Sequence, residues 1–142
     1  MNLPSEYFME IGKFQIHIDH HKHLSPKARI VLFHGVGGNG RLLSFIAVPL
    51  RKAGFDVICP DLPLYGYTQF LGKVDYQDWV DVGSEIVKHF SQDSVPVFVF
   101  GLSAGGMLAY QVACKCTTVK GIIATCLLDQ RNRTITKATA VN

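Results

Sequence analysis

No stretch of this 142-residue chain is apolar for long enough to span a bilayer, and Met1 to His21 lack the apolar core of a signal peptide. The expectation is a cytoplasmic protein with no membrane span. Charge is also sparse: 18% of residues are charged, the net charge is only +3, and Lys and Arg are scattered. Without a dense basic run there is no footprint for nucleic acid. Cysteine is too scarce for a disulfide scaffold. Cys59, Cys114, Cys116 and Cys126 read as reduced, mostly buried thiols, three of them in or beside apolar runs. Histidine is missing from the last third of the chain: all six (17, 20, 21, 23, 34 and 89) precede residue 90.

What is present is apolar. Hydrophobic residues make up 48% of the sequence, enough for a substantial core in about one domain. Phe14, Ile16 and Ile18 alternate with Lys13, Gln15 and His17, so Tyr7 to Asp19 reads as a half-exposed strand paired antiparallel with residues before Gly12. His20 to Pro26 reads as a polar connection. Its histidines, with His17, match no zinc-ligand spacing, and no metal is expected. Short β-rich runs follow at 29–33, 55–59, 95–100 and 121–125. Between them, Leu42 to Leu50, Tyr76 to Phe90 and Ala104 to Lys115 carry helical spacing. Pro49 marks a kink or late start in the first helix, Gly54 closes it, and Asp75 caps the second.

Strand and helix thus alternate, which predicts a doubly wound, mostly parallel α/β sheet with helices on both faces. The run at 95–100 is apolar on both sides and belongs mid-sheet, covered from both faces. Ligands on such sheets sit at the carboxyl ends of the strands, where three glycine- or proline-rich loops fall.

The loop after the run at 95–100 is Gly101-Leu102-Ser103-Ala104-Gly105-Gly106. A strand ending in Gly-x-Ser-x-Gly and turning at once into a helix is the order a nucleophile elbow needs, because the strained serine backbone leaves no room for Cβ atoms at the flanking glycines. Gly35-Val36-Gly37-Gly38-Asn39-Gly40 has two readings. It fits the dinucleotide fingerprint, with Asp61 about 20 residues on. It also fits an oxyanion loop, in which His34-Gly35 leads to a donor N–H on Val36 that complements the N–H of Ala104. The oxyanion reading uses His34 and the Gly-Leu-Ser-Ala-Gly-Gly run, which the dinucleotide reading leaves idle. A strand also precedes this one, whereas a fingerprint strand is normally first.

Residues 10–128 resemble the amino-terminal half of an alpha/beta-hydrolase-fold protein, in the style of the monoacylglycerol lipase and lysophospholipase branch. The resemblance rests on His34-Gly35, on Pro60-Asp61-Leu62-Pro63 with Gly66-Tyr67-Thr68, and on Gly101 to Gly106. Where the family has Asp-x-x-Gly-x-Gly-x-Ser, Leu64 replaces the first glycine and Thr68 the serine. The resemblance implies a serine hydrolase cleaving a carboxylic ester or related acyl bond, with Ser103 as nucleophile, Val36 and Ala104 as oxyanion donors, and a structural His34. It implies a small-molecule acyl substrate and no cofactor.

The family's order is serine, then acid, then histidine. Here Asp129 is the one acid after Ser103 and a candidate for the triad acid, and no histidine follows. The resemblance therefore divides the chain into 1–128, the amino-terminal part of a hydrolase domain, and 129–142, a polar tail that starts a missing cap. It implies a fold truncated before its last strands, feeble activity, and an exposed edge at 121–125 that favours self-association or pairing with the missing carboxy-terminal half. The alternative is a non-catalytic truncated product or binding fragment.

Overall fold

The computed structural model describes residues 3–125, so Cys126, Asp129 and the 129–142 tail lie outside the described residues. The chain opens with a hairpin, β1 (Ser5–Ile11) and β2 (Phe14–His21), closed by a two-residue turn in which Gly12 has φ +56°. It continues as β3 (Ala28–Phe33), a 3-10 turn at Arg41–Leu43, α1 (Ser44–Lys52), β4 (Phe55–Pro60), β5 (Gln69–Phe70), α2 (Tyr76–His89), β6 (Val97–Leu102), α3 (Ala104–Lys115) and β7 (Val119–Thr125). The strands form one sheet in the order β1-β2-β4-β3-β6-β7, with the short β5 added to β2. β3, β4, β6 and β7 are parallel, and the β1–β2 hairpin joins β4 antiparallel. The expected α/β sheet is present; β5 is too short to leave a periodic signal.

Two cores cover the sheet. On one face, Ile16, Ile18, Val31, Phe33, Ile58, Val97 and Val99 pack with Trp79, Val82 and Ile86 of α2 and Leu108, Ala109 and Val112 of α3. On the other, Ile30, Leu32, Val57 and Cys59 pack with Leu43 and Ala47 beneath α1. The sequence explains both helices. Asp75 accepts from the Asp78 N–H at 3.1 Å while the Asp78 carboxylate accepts from the Asp75 N–H at 2.9 Å, a reciprocal cap on α2. Pro49 is inside α1, past the first turn, and Gly54 (φ +104°) ends that segment as expected.

Three expectations are corrected. β6 lies mid-sheet, but among the described residues α1 is the single helix on its second face, so Phe98, Phe100 and Leu102 are only half-buried. The region around His20 is not a polar connection: His20 and His21 belong to β2 and are buried. The outer side of β2 is not half-exposed either. His17 and Asp19 are buried with them, because β1 and β4 flank the strand and the loops after β3 and β4 close over it. β7 pairs with β6, and Ile122 and Ile123 are exposed on it, which agrees with an open apolar edge among the described residues.

Candidate active site

The parallel strands β3, β4 and β6 end on one edge, and the three loops that leave them meet there. Ser103 stands where β6 turns into α3. Its backbone is left-handed, φ 56° and ψ −121°, a strained conformation for a residue with a Cβ. Its N–H donates to the Thr125 carbonyl at 2.9 Å, and its carbonyl accepts from Gly106 at 2.9 Å. Ser103 occupies the N-cap position of α3, yet its hydroxyl makes no cap hydrogen bond, so Oγ is not spent on the helix. The helix N-terminus behind it favours negative charge.

Glycine makes the turn sterically feasible. A Cβ at Gly101 would fall on the Gly105 carbonyl, and one at Gly105 would fall on the Phe33 carbonyl. The elbow is therefore locked against the end of β3 by main-chain contact. Gly35 completes the junction, since a Cβ there would sit 3.3 Å from the Leu102 oxygen and 3.5 Å from Ser103 Cβ. The peptide between Gly35 and Val36 is thus brought beside the elbow. Gly38 N–H closes a turn on the Gly35 carbonyl at 3.1 Å, Gly37 has φ +79°, and Val36 is exposed at the tip.

His34 is buried under this loop. Its Nδ1 lies 2.7 Å from the Gly35 carbonyl, and its Nε2 accepts the Leu62 N–H at 2.9 Å. Since a carbonyl only accepts, Nδ1 carries the proton and the ring is neutral. Burial holds its pKa below the ordinary value, against the pull of the Gly35 carbonyl and Asp61. With both nitrogens engaged, His34 ties two loops together and is not poised as a general base. His89 is exposed in the last turn of α2, and Asp129 is outside the described residues.

Asp61 carries more of this edge than its place in a loop motif suggested. It is buried. Oδ1 accepts the Gly40 N–H at 2.7 Å; Oδ2 accepts the Tyr67 N–H at 2.9 Å and lies 2.9 Å from His17 Nδ1. A Cβ at Gly66 would land on this carboxylate, which fixes glycine there. Thr68, the serine replacement, still serves: its hydroxyl donates to the Asp61 carbonyl at 2.5 Å and accepts the His17 N–H at 3.0 Å. Leu64, the glycine replacement, keeps the backbone of a glycine with φ +85°.

The sequence offered Asp19 only as a carboxylate near the histidines, and gave no sign of Glu6 or Arg41 beyond the position of Arg41 directly after the last loop glycine. Glu6, His17 and Asp19 form the group of carboxylates and imidazole that stands close enough to share a cation among the described residues. A cation of the chain's own already reaches it: Arg41 donates through Nε and Nη2 to both Asp19 oxygens at 3.0 Å and pairs with Glu6 at 2.6 Å.

A family model described as "Alpha/beta hydrolase family" matches residues 30–140. A thermostable monoacylglycerol lipase of Bacillus sp. (strain H-257) is 30% identical over 95 residues, which covers 66% of this chain and 38% of the relative. Among solved structures, a soluble variant of monoglyceride lipase from Saccharomyces cerevisiae superimposes with a TM-score of 0.80 at 16% identity, over 97% of this chain and 51% of that one. An esterase from Exiguobacterium antarcticum gives 0.73 at 17% identity, over 87% and 46%. The chain therefore spans 38% of the curated relative it matches and about half of each of these two structures.

Proposed function

This chain belongs to the alpha/beta hydrolase family, and on that premise we propose that it carries the nucleophile half of a serine hydrolase cleaving a carboxylic ester or related acyl bond. The carrying observation is Ser103, a non-glycine residue at positive φ between a parallel strand and a helix, with the Gly35 main chain packed against it. In this reading Ser103 Oγ attacks the acyl carbon and the Oγ–C bond forms as the carbonyl π electrons move onto oxygen. The N–H groups of Val36 and Ala104 hold that oxyanion. Its collapse expels the alcohol and leaves an acyl-Ser103, which water then hydrolyses.

A serine hydroxyl needs a base to lose its proton. His34 is engaged at both nitrogens and no histidine follows Ser103. The base that serves Ser103 is therefore not His34. The lipase and esterase relatives support an ester as the bond broken, acting on a small acyl substrate.

The test is an aryl fluorophosphonate probe on folded protein, alone and with the remaining half of a homologous domain added. Labelling of wild type and loss of labelling in Ser103→Ala support the nucleophile. A folded sample that stays unlabelled in both settings favours the second reading, a non-catalytic product; the engagement of His34 at both ring nitrogens is the observation on that side. Membership of the family sets aside the dinucleotide reading of Gly35 to Gly40.

A further inference from the structure

The loop that carries Val36 is held at its two ends by different means. Its start, at His34 and Gly35, is fixed by the imidazole bridge to Leu62 and by contact with the elbow. Its end, at Gly40 and Arg41, enters a closed circuit of charged contacts. Gly40 N–H donates to Asp61 Oδ1 at 2.7 Å, and Asp61 Oδ2 lies 2.9 Å from His17 Nδ1. His17 Nε2 lies 3.0 Å from Glu6 Oε1, and that same oxygen is 2.6 Å from Arg41 Nη2. Arg41 is bonded through the peptide to Gly40, which closes the ring. Asp19 sits inside it, held at both oxygens by Arg41 and 3.9 Å from His17 Nε2.

We infer that His17 and Arg41 are positioning residues for the oxyanion loop, joining Glu6, Asp19 and Asp61 into an ionic frame that fixes where the loop ends and in which direction. This deepens the hydrolase reading and rests on it for its meaning in catalysis; the frame itself is a property of the fold. Two features show that it is built for position. Its contacts close on the adjacent residues Gly40 and Arg41, so both translation and rotation of the loop end are restrained. The frame also ties together the β1–β2 hairpin, the loop after β3 and the loop after β4, so none can shift without breaking a hydrogen bond to a charged group. The Arg41 guanidinium beside Asp19 and Glu6 is pushed above its ordinary pKa. The Glu6 carboxyl is held below its own, by Arg41 first and His17 second. A loop that presents a single N–H to an oxyanion must be placed to a fraction of an ångström, which this frame supplies before substrate arrives.

Asp61 and His17 are buried, so their variants risk unfolding; Arg41 and Glu6 have half-exposed side chains and are the safer probes. The experiment is hydrogen exchange by mass spectrometry on wild type, Arg41→Gln, Arg41→Lys and Glu6→Gln, paired with the rate of fluorophosphonate labelling of Ser103. In Arg41→Gln and Glu6→Gln, exchange should rise about tenfold across residues 35–40, with β6 and α3 unchanged. Arg41→Lys should recover part of the protection. Labelling of Ser103 should slow in the same order. Unchanged loop exchange in both Gln variants overturns the frame, and so does a rise spread evenly over the whole sheet. Absence of labelling in wild type, both alone and with the remaining half of a homologous domain added, overturns the hydrolase reading alone, because the exchange result stands without it.

Discussion

The two loops that meet at this edge are held in opposite ways. The elbow at Gly101 to Gly106 is held by shape. Its glycines touch the carbonyls of Gly105 and Phe33 with no space for a methyl group, and no charged side chain among the described residues takes part. The loop from His34 to Arg41 is held by polarity, through Asp61, His17, Glu6, Asp19 and Arg41 on one side and neutral His34 on the other. Steric locks tolerate no added atom but ignore pH and salt. Ionic locks accept added atoms and respond to both. The nucleophile needs one strained backbone conformation, which packing can impose. The donor loop must be placed accurately while remaining open at Val36, which long side chains reaching from other segments can do.

Gly105→Ala should break the steric side most severely. The new Cβ falls on the Phe33 carbonyl and 2.5 Å from the His34 carbonyl oxygen, both backbone, so the elbow or the sheet must move. We expect a loss of more than about 3 kcal/mol in urea unfolding and no serine labelling. Wild-type stability would show that the elbow has slack. Asp61→Ala should break the ionic side with a somewhat smaller effect. It leaves the N–H groups of Gly40 and Tyr67 and the Nδ1 of His17 without their acceptor, at a cost of roughly 3 kcal/mol. A denaturant midpoint within error of wild type would contradict the frame.

Acid should separate the two sides more finely. Burial depresses the pKa of His34, and also that of His21, whose two buried ring nitrogens have no partner among the described residues. A group whose folded pKa is lowered binds a proton more readily when unfolded. Stability is therefore complete above the unfolded value of about 6.5 and falls as pH drops from there toward the folded value. The change is about 1.4 kcal/mol for each unit of depression. Thermal melts from pH 8 to pH 5 should show this decline, and His21→Leu should remove part of it while matching or exceeding wild type at pH 8. If His21→Leu keeps the full slope, His21 is not a source of it.

The smallest effect tests strain outside both locks. Leu64 holds φ +85° and is half-exposed, so Leu64→Gly gives up little burial and relieves a left-handed backbone. After the entropy glycine costs in the unfolded chain, a gain of about 0.5 kcal/mol is expected. A loss would mean that the side chain contributes packing that outweighs the strain.

The fold was largely legible because its signals are local. Apolar runs punctuated by glycine and proline located β3, β4, β6 and β7. Spacing and the Asp75 cap located the start of α2 to the residue and its end within one residue, and Gly-x-Ser-x-Gly located the elbow. The polar side of β2 was misread for a reason that is equally physical. Alternating polarity normally means one wet face, but His17, Asp19 and His21 are polar and buried, paired or stranded beneath the loops. Nothing in the local sequence distinguishes the two cases, since burial depends on what arrives from elsewhere.

The sequence by itself determined the strand–helix alternation, the serine at its sharpest turn and the glycines around it, because sterics between neighbours in the chain settle those. Only the tertiary structure decided that Asp61 would hold Gly40, that His17 would stand between Asp61 and Glu6, and that Arg41 would close the ring. Those contacts join residues 11 to 44 positions apart, and they exist because the crossovers of a parallel sheet bring its strand ends, and the loops that leave them, to one edge.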